Sequence, residues 1–155
     1  MAETTFVSAA RREVPILRTD QTVGEAADTV LATEVPALPV VDARGRYAGV
    51  FGEREFIHAV FPRYFDTLGS AAFIRRGLDA TLERGARAAA EPVGDHMTTD
   101  HVEVGADPSD AELAEIFLHH RVLIVPLCEG GHVTGIVTRA DFFRALAEHL
   151  RERPE

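Results

Sequence analysis

The sequence predicts an α+β fold built from two similar halves, each with the element order β-α-β-β-α. One observation behind this prediction is an internal repeat, because residues 22–42 align with residues 109–129 at an offset of 87. A one-residue loop deletion then changes the offset to 86. The identical pairs are Glu25/Glu112, Ala27/Ala114, Leu31/Leu118, Val35/Val122, Pro39/Pro126, Gly49/Gly135, Phe56/Phe142 and Ala59/Ala145. A repeat of about half the chain indicates a tandem pair rather than a solenoid.

The composition supports a globular fold. The chain has 155 residues, of which 46 % are hydrophobic and 26 % are charged, as in one ordinary domain or two small domains that share a core. The longest apolar runs, Ala37–Val41 and Val122–Cys128, are far shorter than the roughly 20 residues of a membrane span. The first residues lack the basic and apolar regions of a secretory signal. We therefore expect a cytoplasmic protein without membrane insertion. Its single cysteine excludes an internal disulfide and a cysteine-rich metal site.

Charge limits the partners that the chain can bind. All 16 basic residues are arginines, and 25 acidic residues give a net charge of −9 with neutral histidines. Such a chain repels nucleic acid and anionic lipid at long range, so we expect no nucleic-acid partner. A local arginine can still hold a phosphate group.

The first copy begins with an extended segment, Val14–Leu17, followed by a helix that opens on a capping box of Thr22 and Glu25. One apolar face at helical spacing supports this helix, and it consists of Val23, Ala26, Ala27, Val30 and Leu31. A buried strand, a turn with glycine, a second strand and a second helix complete the copy. We expect them at Ala37–Val41, Asp42–Gly45, Tyr47–Phe51 and Glu53–Val60.

The second copy has the same pattern. An extended segment, His101–Val104, precedes a helix that opens on Ser109 and Glu112. Its apolar face consists of Leu113, Ala114, Phe117 and Leu118. The later strand, turn, strand and helix are expected at Leu123–Leu127, Glu129–Gly131, Val133–Val137 and Arg139–Arg151.

The segment between the copies, Phe61–Val93, is not rich in serine and glycine, so it is not a flexible linker. Apolar residues at helical spacing predict one or two amphipathic helices between Pro62 and Pro92. These helices either brace the pair or form a face that binds a partner. The predicted divisions are residues 14–60 and 94–150 for the two repeats, with the helical segment 61–93 between them.

Three segments carry a resemblance to a known family. Leu38–Val50 resembles the strand–turn–strand signature of a cystathionine-β-synthase (CBS) domain, and Gly135–Asp141 resembles its strand-to-helix signature. Asp95–Asp100 resembles the opening of a second CBS repeat. The resemblance covers Val14–Val60 and Asp95–Leu150. Since both copies appear in order at one offset, the chain is identified as similar to a CBS pair, or Bateman module.

The resemblance implies a fold and a class of function. Two repeats would pack about a pseudo-twofold axis, and two such modules usually form a homodimer through helices such as the one containing Phe142, Phe143, Leu146 and Leu150. The family is regulatory and binds adenosine-containing ligands such as AMP, ADP, ATP or S-adenosylmethionine. We therefore expect a stand-alone, non-catalytic module without a metal or other cofactor, which signals to a transporter or enzyme on another chain.

Thr138 and Asp141 form the preferred candidate site. At the start of a helix this pair is also an ordinary cap, with Thr138 at the N-cap and Asp141 in the first turn. The same geometry suits a ligand, because the free N–H groups attract phosphate and a carboxylate can accept both hydrogens of a ribose diol. Arg139 is the nearby cation that could reach a phosphate. The resemblance adds an apolar wall for adenine, made of Pro15, Val35, Pro36, Ala37, Ile136 and Val137.

The pseudo-symmetric site departs from the family pattern. Gly52 replaces the hydroxyl residue, and Glu55, which is one methylene longer, replaces the aspartate. Its walls would be Val102, Val122 and Leu123. We therefore expect at most one good nucleotide site, the one with Asp141. The alternative is a CBS-fold interaction or scaffold protein with a degenerate pocket, which binds other proteins through Phe61–Val93.

Overall fold

Two small sheets with helices packed against them form the fold. This structure is a computed structural model that describes residues 6–61, 82–99 and 102–152. In chain order the elements are α1 (Phe6–Ala10), β1 (Arg11–Arg12), β2 (Leu17–Arg18), α2 (Val23–Thr33), β3 (Ala37–Val41), β4 (Tyr47–Gly52), α3 (Glu53–Val60), α4 (residues 82–88), a 3₁₀ turn (Val93–Asp95), β5 (Val104–Gly105), α5 (Asp110–His119), β6 (Ile124–Glu129), β7 (His132–Thr138) and α6 (Arg139–Glu152).

Each repeat contributes one sheet with the same internal pairing. In the first repeat the strand order is β2-β3-β4, with β2 parallel and β4 antiparallel to β3. In the second repeat β5 is parallel and β7 antiparallel to β6. The predicted α+β fold with two β-α-β-β-α repeats is therefore confirmed. The opening strands are shorter than expected, since β2 begins at Leu17 and β5 at Val104.

The first helix of each repeat begins at its predicted cap. The Thr22 hydroxyl accepts a hydrogen bond from the N–H of Glu25 at 3.1 Å. The Ser109 hydroxyl accepts one from the N–H of Glu112, also at 3.1 Å. These bonds satisfy backbone donors that have no partner inside the first turn, which explains where both helices start.

The segment before the first strand of each repeat's own sheet pairs with the sheet of the other repeat. Strand β1 lies antiparallel to β7, with Arg12 opposite Ile136. In the same way Thr98, which comes before strand β5, pairs with Val50. Thr98 and Val50 are each 86 residues from Arg12 and Ile136, so the two pairings are pseudo-symmetric. The sequence did not predict that these segments pair with the sheet of the other repeat.

The repeated glycines Gly49 and Gly135 allow these crossing segments to approach. A Cβ atom on Gly49 would lie 2.6 Å from the carbonyl oxygen of Thr98, and one on Gly135 would lie 2.9 Å from that of Arg12. Any side chain would therefore push the crossing backbone away. The close approach of the backbone thus explains why both repeats have glycine at this position.

The two repeats share their cores. The hydrophobic cluster around the first sheet includes Ile124 and Ile136 from the second repeat. The cluster around the second sheet includes Val7 and Ala10 from α1. Since each sheet is completed by residues from outside its own repeat, the pair folds as one packed unit.

Part of the segment between the repeats packs on the first repeat. The N–H of Val23 donates to the carbonyl of Glu91 at 2.9 Å, and the N–H of Gly24 donates to that of Ala89 at 2.9 Å. The helical residues 82–88 agree with the predicted amphipathic helices. The remainder of the predicted helical segment, residues 62–81, lies outside the described residues. None of the helices in the described ranges has the length and apolar character needed to span a bilayer.

Candidate ligand-binding clefts

Glu55 is a buried acid at the start of α3. Only 7 % of the residue is exposed. Its Oε1 accepts a hydrogen bond from the N–H of Gly52 at 2.8 Å, and its Oε2 accepts one from the hydroxyl of Thr98 at 2.7 Å. The positive end of the helix dipole also stabilises negative charge at this position. The carboxylate is thus held in one orientation, and each oxygen has a second lone pair with which to accept a further donor.

Glu55 lies between an apolar cavity and a polar hollow. The cavity has a volume of about 60 Å³ and is lined by Ala37, Val50, Arg54, Glu55, Thr98, Val102, Val122, Leu123 and Ile124. The hollow has a volume of about 550 Å³ and is lined by Arg54, Glu55, His58, Ala59, Asp95, His96 and Thr98. Both repeats supply the walls of the cavity, and three residues belong to both spaces. The two spaces therefore meet at the carboxylate.

Most residues predicted for the pseudo-symmetric site are brought together here. Glu55, Val102, Val122 and Leu123 all line the cavity. Gly52 contributes its backbone N–H to Glu55 rather than a side chain. A Cβ atom on Gly52 would lie 2.2 Å from the carbonyl oxygen of Pro36, so the backbone of the first sheet leaves no room for the hydroxyl residue of the family pattern.

Thr98 brings a hydroxyl to the Glu55 carboxylate from another part of the chain. It lies in the segment that crosses from the second repeat, and its hydroxyl reaches the carboxylate of Glu55. Sequence reasoning missed this residue, because it looked for the hydroxyl three residues before the acid on the same chain segment. The signal available was the resemblance of Asp95–Asp100 to the opening of a CBS repeat, a segment that contains Thr98.

Asp141 lies at the matching position of the second repeat. Its N–H donates to the Thr138 hydroxyl at 3.0 Å, which confirms the predicted cap. Its carboxylate accepts two hydrogen bonds from Arg12, at 2.5 Å from Nε to Oδ2 and at 2.9 Å from Nη2 to Oδ1. Burial raises the pKa of Asp141, but the hydrogen bonds from Arg12 and Thr138, together with the positive charges of Arg12 and Arg144, lower it by more. The pKa of this carboxyl therefore lies below its ordinary value of 3.8.

The other residues predicted around Asp141 are dispersed. Arg139 donates from Nη2 to the carbonyl of Val122 at 2.7 Å. Ile136 and Val137 have no exposed surface and belong to the two core clusters, so their side chains face protein rather than a cleft. Ala37 lines the cavity beside Glu55, and Val35 lines a groove between α2 and α3. Pro15 is exposed, and Pro36 is half-buried. Binding of a ligand by this set stays a prediction.

The described ranges offer no obvious metal site. They contain no group of three or more histidine, cysteine, aspartate or glutamate side chains that could hold a metal ion. The thiol of Cys128 is half-buried, and burial together with Glu103 raises its pKa to about 12. A thiol with so high a pKa is a weak nucleophile at neutral pH.

Comparison with known proteins places this arrangement in a family. The family described as CBS domain matches residues 7–62 and residues 93–148. No curated protein matches by sequence. Among solved structures, the CBS-domain containing protein ATU1752 from Agrobacterium tumefaciens is 27 % identical, with a TM-score of 0.67 and coverage of 91 % of this chain and 90 % of that one.

Two further structures are similar in fold. A putative acetoin utilization protein (AcuB) from Vibrio cholerae is 19 % identical with a TM-score of 0.71, and the match covers 99 % of this chain and 100 % of that one. CBSX2, solved in complex with AMP, is 20 % identical with a TM-score of 0.67, and the match covers 93 % and 97 % of the two chains. Two family matches in order, the paired sheets and these likenesses lead to one conclusion: the chain belongs to the CBS-domain family, as a tandem pair of a regulatory kind.

Proposed function

We propose that this chain is a non-catalytic sensor that binds an adenosine-containing ligand between its two repeats and signals to a partner protein. The observation that carries the proposal is the position of Glu55. Its buried carboxylate is fixed by two donors and faces an apolar cavity on one side and a polar hollow on the other. Family membership and the AMP complex of the structurally similar CBSX2 support the same class of ligand.

The lining of the cleft suits each part of such a ligand chemically, and the cavity of about 60 Å³ has to widen to admit a purine base. A purine base would lie against Val102, Val122 and Leu123, whose apolar side chains suit its faces. The two hydroxyls of a ribose would donate to the carboxylate of Glu55. A phosphate would extend into the polar hollow towards Arg54, whose guanidinium also donates to the carbonyl of Arg121 at 3.1 Å. The proposal thus favours a phosphorylated ligand such as AMP, ADP or ATP over S-adenosylmethionine.

Signalling would follow from a shift in population. A ligand held by both repeats favours the packing in which their walls are closest, by no more than its difference in affinity for the two states. The partner, a transporter or enzyme on another chain, would respond to that packing. The proposal places the module in the cytoplasm, as the sequence predicts.

A homodimer is part of the proposal. Matching positions of the two repeats expose large apolar side chains, namely Leu31 and Leu118 on the first helices, and Ile57 and Phe143 on the second. Such side chains on one helical side of each repeat suit a contact with a second copy. Sedimentation equilibrium should give twice the chain mass. A chain that stays monomeric at all concentrations would contradict this part.

Isothermal titration calorimetry of the full chain against AMP, ADP, ATP and S-adenosylmethionine tests the central proposal. We expect at least one of these ligands to bind, and Glu55→Gln to weaken that binding at least ten-fold, because the amide accepts the ribose hydroxyls at one atom only. Glu53→Gln is the matched control. It removes the same charge from the same helical turn, and Glu53 is exposed and lies outside the cavity.

Two outcomes would contradict the proposal. The first is a folded chain that gives no heat with any of the four ligands, which would favour the scaffold alternative. The second is binding that Glu55→Gln and Glu53→Gln change equally, since the carboxylate would then act only through the overall charge.

A further inference from the structure

Arg12 is held at the Asp141 carboxylate by the fold. Its backbone pairs with Ile136 in strand β1, and the preceding helix α1 buries Val7 and Ala10 in the core of the second repeat. The N–H of Val7 also donates to the carboxylate of Asp110 at 3.3 Å. Packing of the neighbouring elements therefore fixes the backbone at position 12, from which the side chain, 43 % exposed, reaches Asp141.

The pair differs from its pseudo-symmetric counterpart in one respect. Thr98 donates one hydrogen bond to one oxygen of Glu55, and this leaves the carboxylate open to further donors. Arg12 instead donates to both oxygens of Asp141 and adds a full positive charge. A bidentate guanidinium contact matches the geometry of a carboxylate and is among the stronger charged hydrogen bonds. The two oxygens are those that a ribose diol would need.

We propose that Arg12 acts as a built-in occupant of the Asp141 site and thereby sets the capacity of the module at one ligand per chain. This inference rests on the function proposed for Glu55. A ribose hydroxyl is neutral and cannot displace a charged bidentate partner that the fold already positions. The site with the better sequence match to the family is thus the one that the chain fills with its own side chain.

The site opens when the arginine is replaced by the residue of the other repeat. In Arg12→Thr, the guanidinium is lost, so both oxygens of Asp141 lose the charged donor that holds them. Arg11→Thr is the matched control, because it removes the same charge from the same strand. Arg11 donates to the carbonyl of Thr134 at 3.3 Å and not to Asp141.

Equilibrium dialysis with labelled AMP gives the number of molecules bound per chain. We expect one for the wild type, one for Arg11→Thr, two for Arg12→Thr, and one for Arg12→Thr combined with Asp141→Asn. With 2′-deoxy-AMP, which lacks the diol, binding should be weakened at both carboxylates, Glu55 and Asp141. Thermal unfolding followed by circular dichroism checks that each variant folds, and Arg12→Gln replaces Arg12→Thr if the latter does not.

The outcomes separate this inference from the proposed function. An Arg12 variant that folds and binds no more AMP than the wild type overturns the inference. The inference is also overturned if Arg12→Thr weakens the binding of AMP seen in the wild type at least ten-fold while Arg11→Thr does not. The arginine would then contact the ligand rather than exclude it. If the wild type binds none and Arg12→Thr binds one molecule through Asp141, Arg12 does block the Asp141 site, but the capacity of one ligand per chain and the proposal for Glu55 both fail.

Discussion

Gly52 gives the sharpest contrast between the family pattern and the structure. The pattern has a hydroxyl residue at this position, so by the pattern alone a substitution of Gly52 would restore the site. The structure predicts the opposite, because Gly52 pairs with Ala37 at the end of β4. An added Cβ atom would lie 2.2 Å from the Pro36 carbonyl oxygen, 2.4 Å from the Cβ of Ala37 and 2.5 Å from its Cα.

These contacts set the magnitude of the effect. None of the three atoms belongs to a flexible side chain, so the backbone of β3 has to move. Overpacking of this kind costs about 1–3 kcal/mol, and contacts this short place Gly52→Ala near the upper end. Alanine loses less backbone entropy on folding than glycine does, and this offsets about 0.5–1 kcal/mol of the cost. The net loss of unfolding free energy is thus about 2 kcal/mol, or roughly 4–8 °C in melting temperature for a chain of this size.

Thermal and urea unfolding followed by circular dichroism measure this loss. Gly105→Ala is the matched control, because it adds the same methyl group to a strand where nothing lies within 4 Å of the new Cβ atom. It should change the melting temperature little. If Gly52→Ala and Gly105→Ala melt together, the steric account of Gly52 is wrong.

Two more predictions follow from the acids at the helix starts. The pKa of Asp141 is lowered in the folded chain, so its contribution to stability is present above its ordinary pKa of 3.8 and is lost as the pH falls below that value. Asp141→Asn should therefore lower the free energy of unfolding at pH 7, and this free energy should then decrease less as the pH falls below 3.8. Urea unfolding at a series of pH values measures both effects. The prediction is refuted if the variant loses as much stability below pH 3.8 as the wild type does. Thr98→Val removes the donor to Oε2 of Glu55 and should lower the unfolding free energy by about 1–2 kcal/mol, whereas Thr99→Val, one residue further along, should have no such effect. Equal losses in the two threonine variants would show that the hydroxyl at position 98 does not hold the carboxylate.

Much of the fold is predictable because its signals are local. Strand β3 and helix α3 have the predicted bounds, since a short apolar run and a helical period are each read within a few residues. The caps at Thr22 and Ser109 are equally local. Strand β1 was missed for the opposite reason. Two charged residues have no strand pattern of their own, and they form a strand only because β7 offers an edge 124 to 126 residues further along.

The candidate site likewise has one part that the sequence predicts and another part that it does not. The acids at the helix starts and the apolar residues before the central strands follow the repeat, so Glu55, Val102, Val122 and Leu123 could be chosen from the sequence. The partners of the two acids come from the crossing segments, which depend on contacts between distant residues. Without Arg12 and Thr98, the aspartate seemed the better ribose acceptor and the glutamate the weaker one. The proposed function reverses that order, because the fold gives the aspartate a charged partner in Arg12.

A crystal structure of the wild-type chain grown with AMP tests the central claim most directly. The account predicts one AMP per chain in the cleft between the repeats, with the ribose hydroxyls within hydrogen-bond distance of the Glu55 carboxylate and the base against Val122 and Leu123. The bidentate contact between Arg12 and Asp141 should persist in that complex. AMP bound to Asp141 with Arg12 displaced, while the cavity beside Glu55 stays closed, would contradict it.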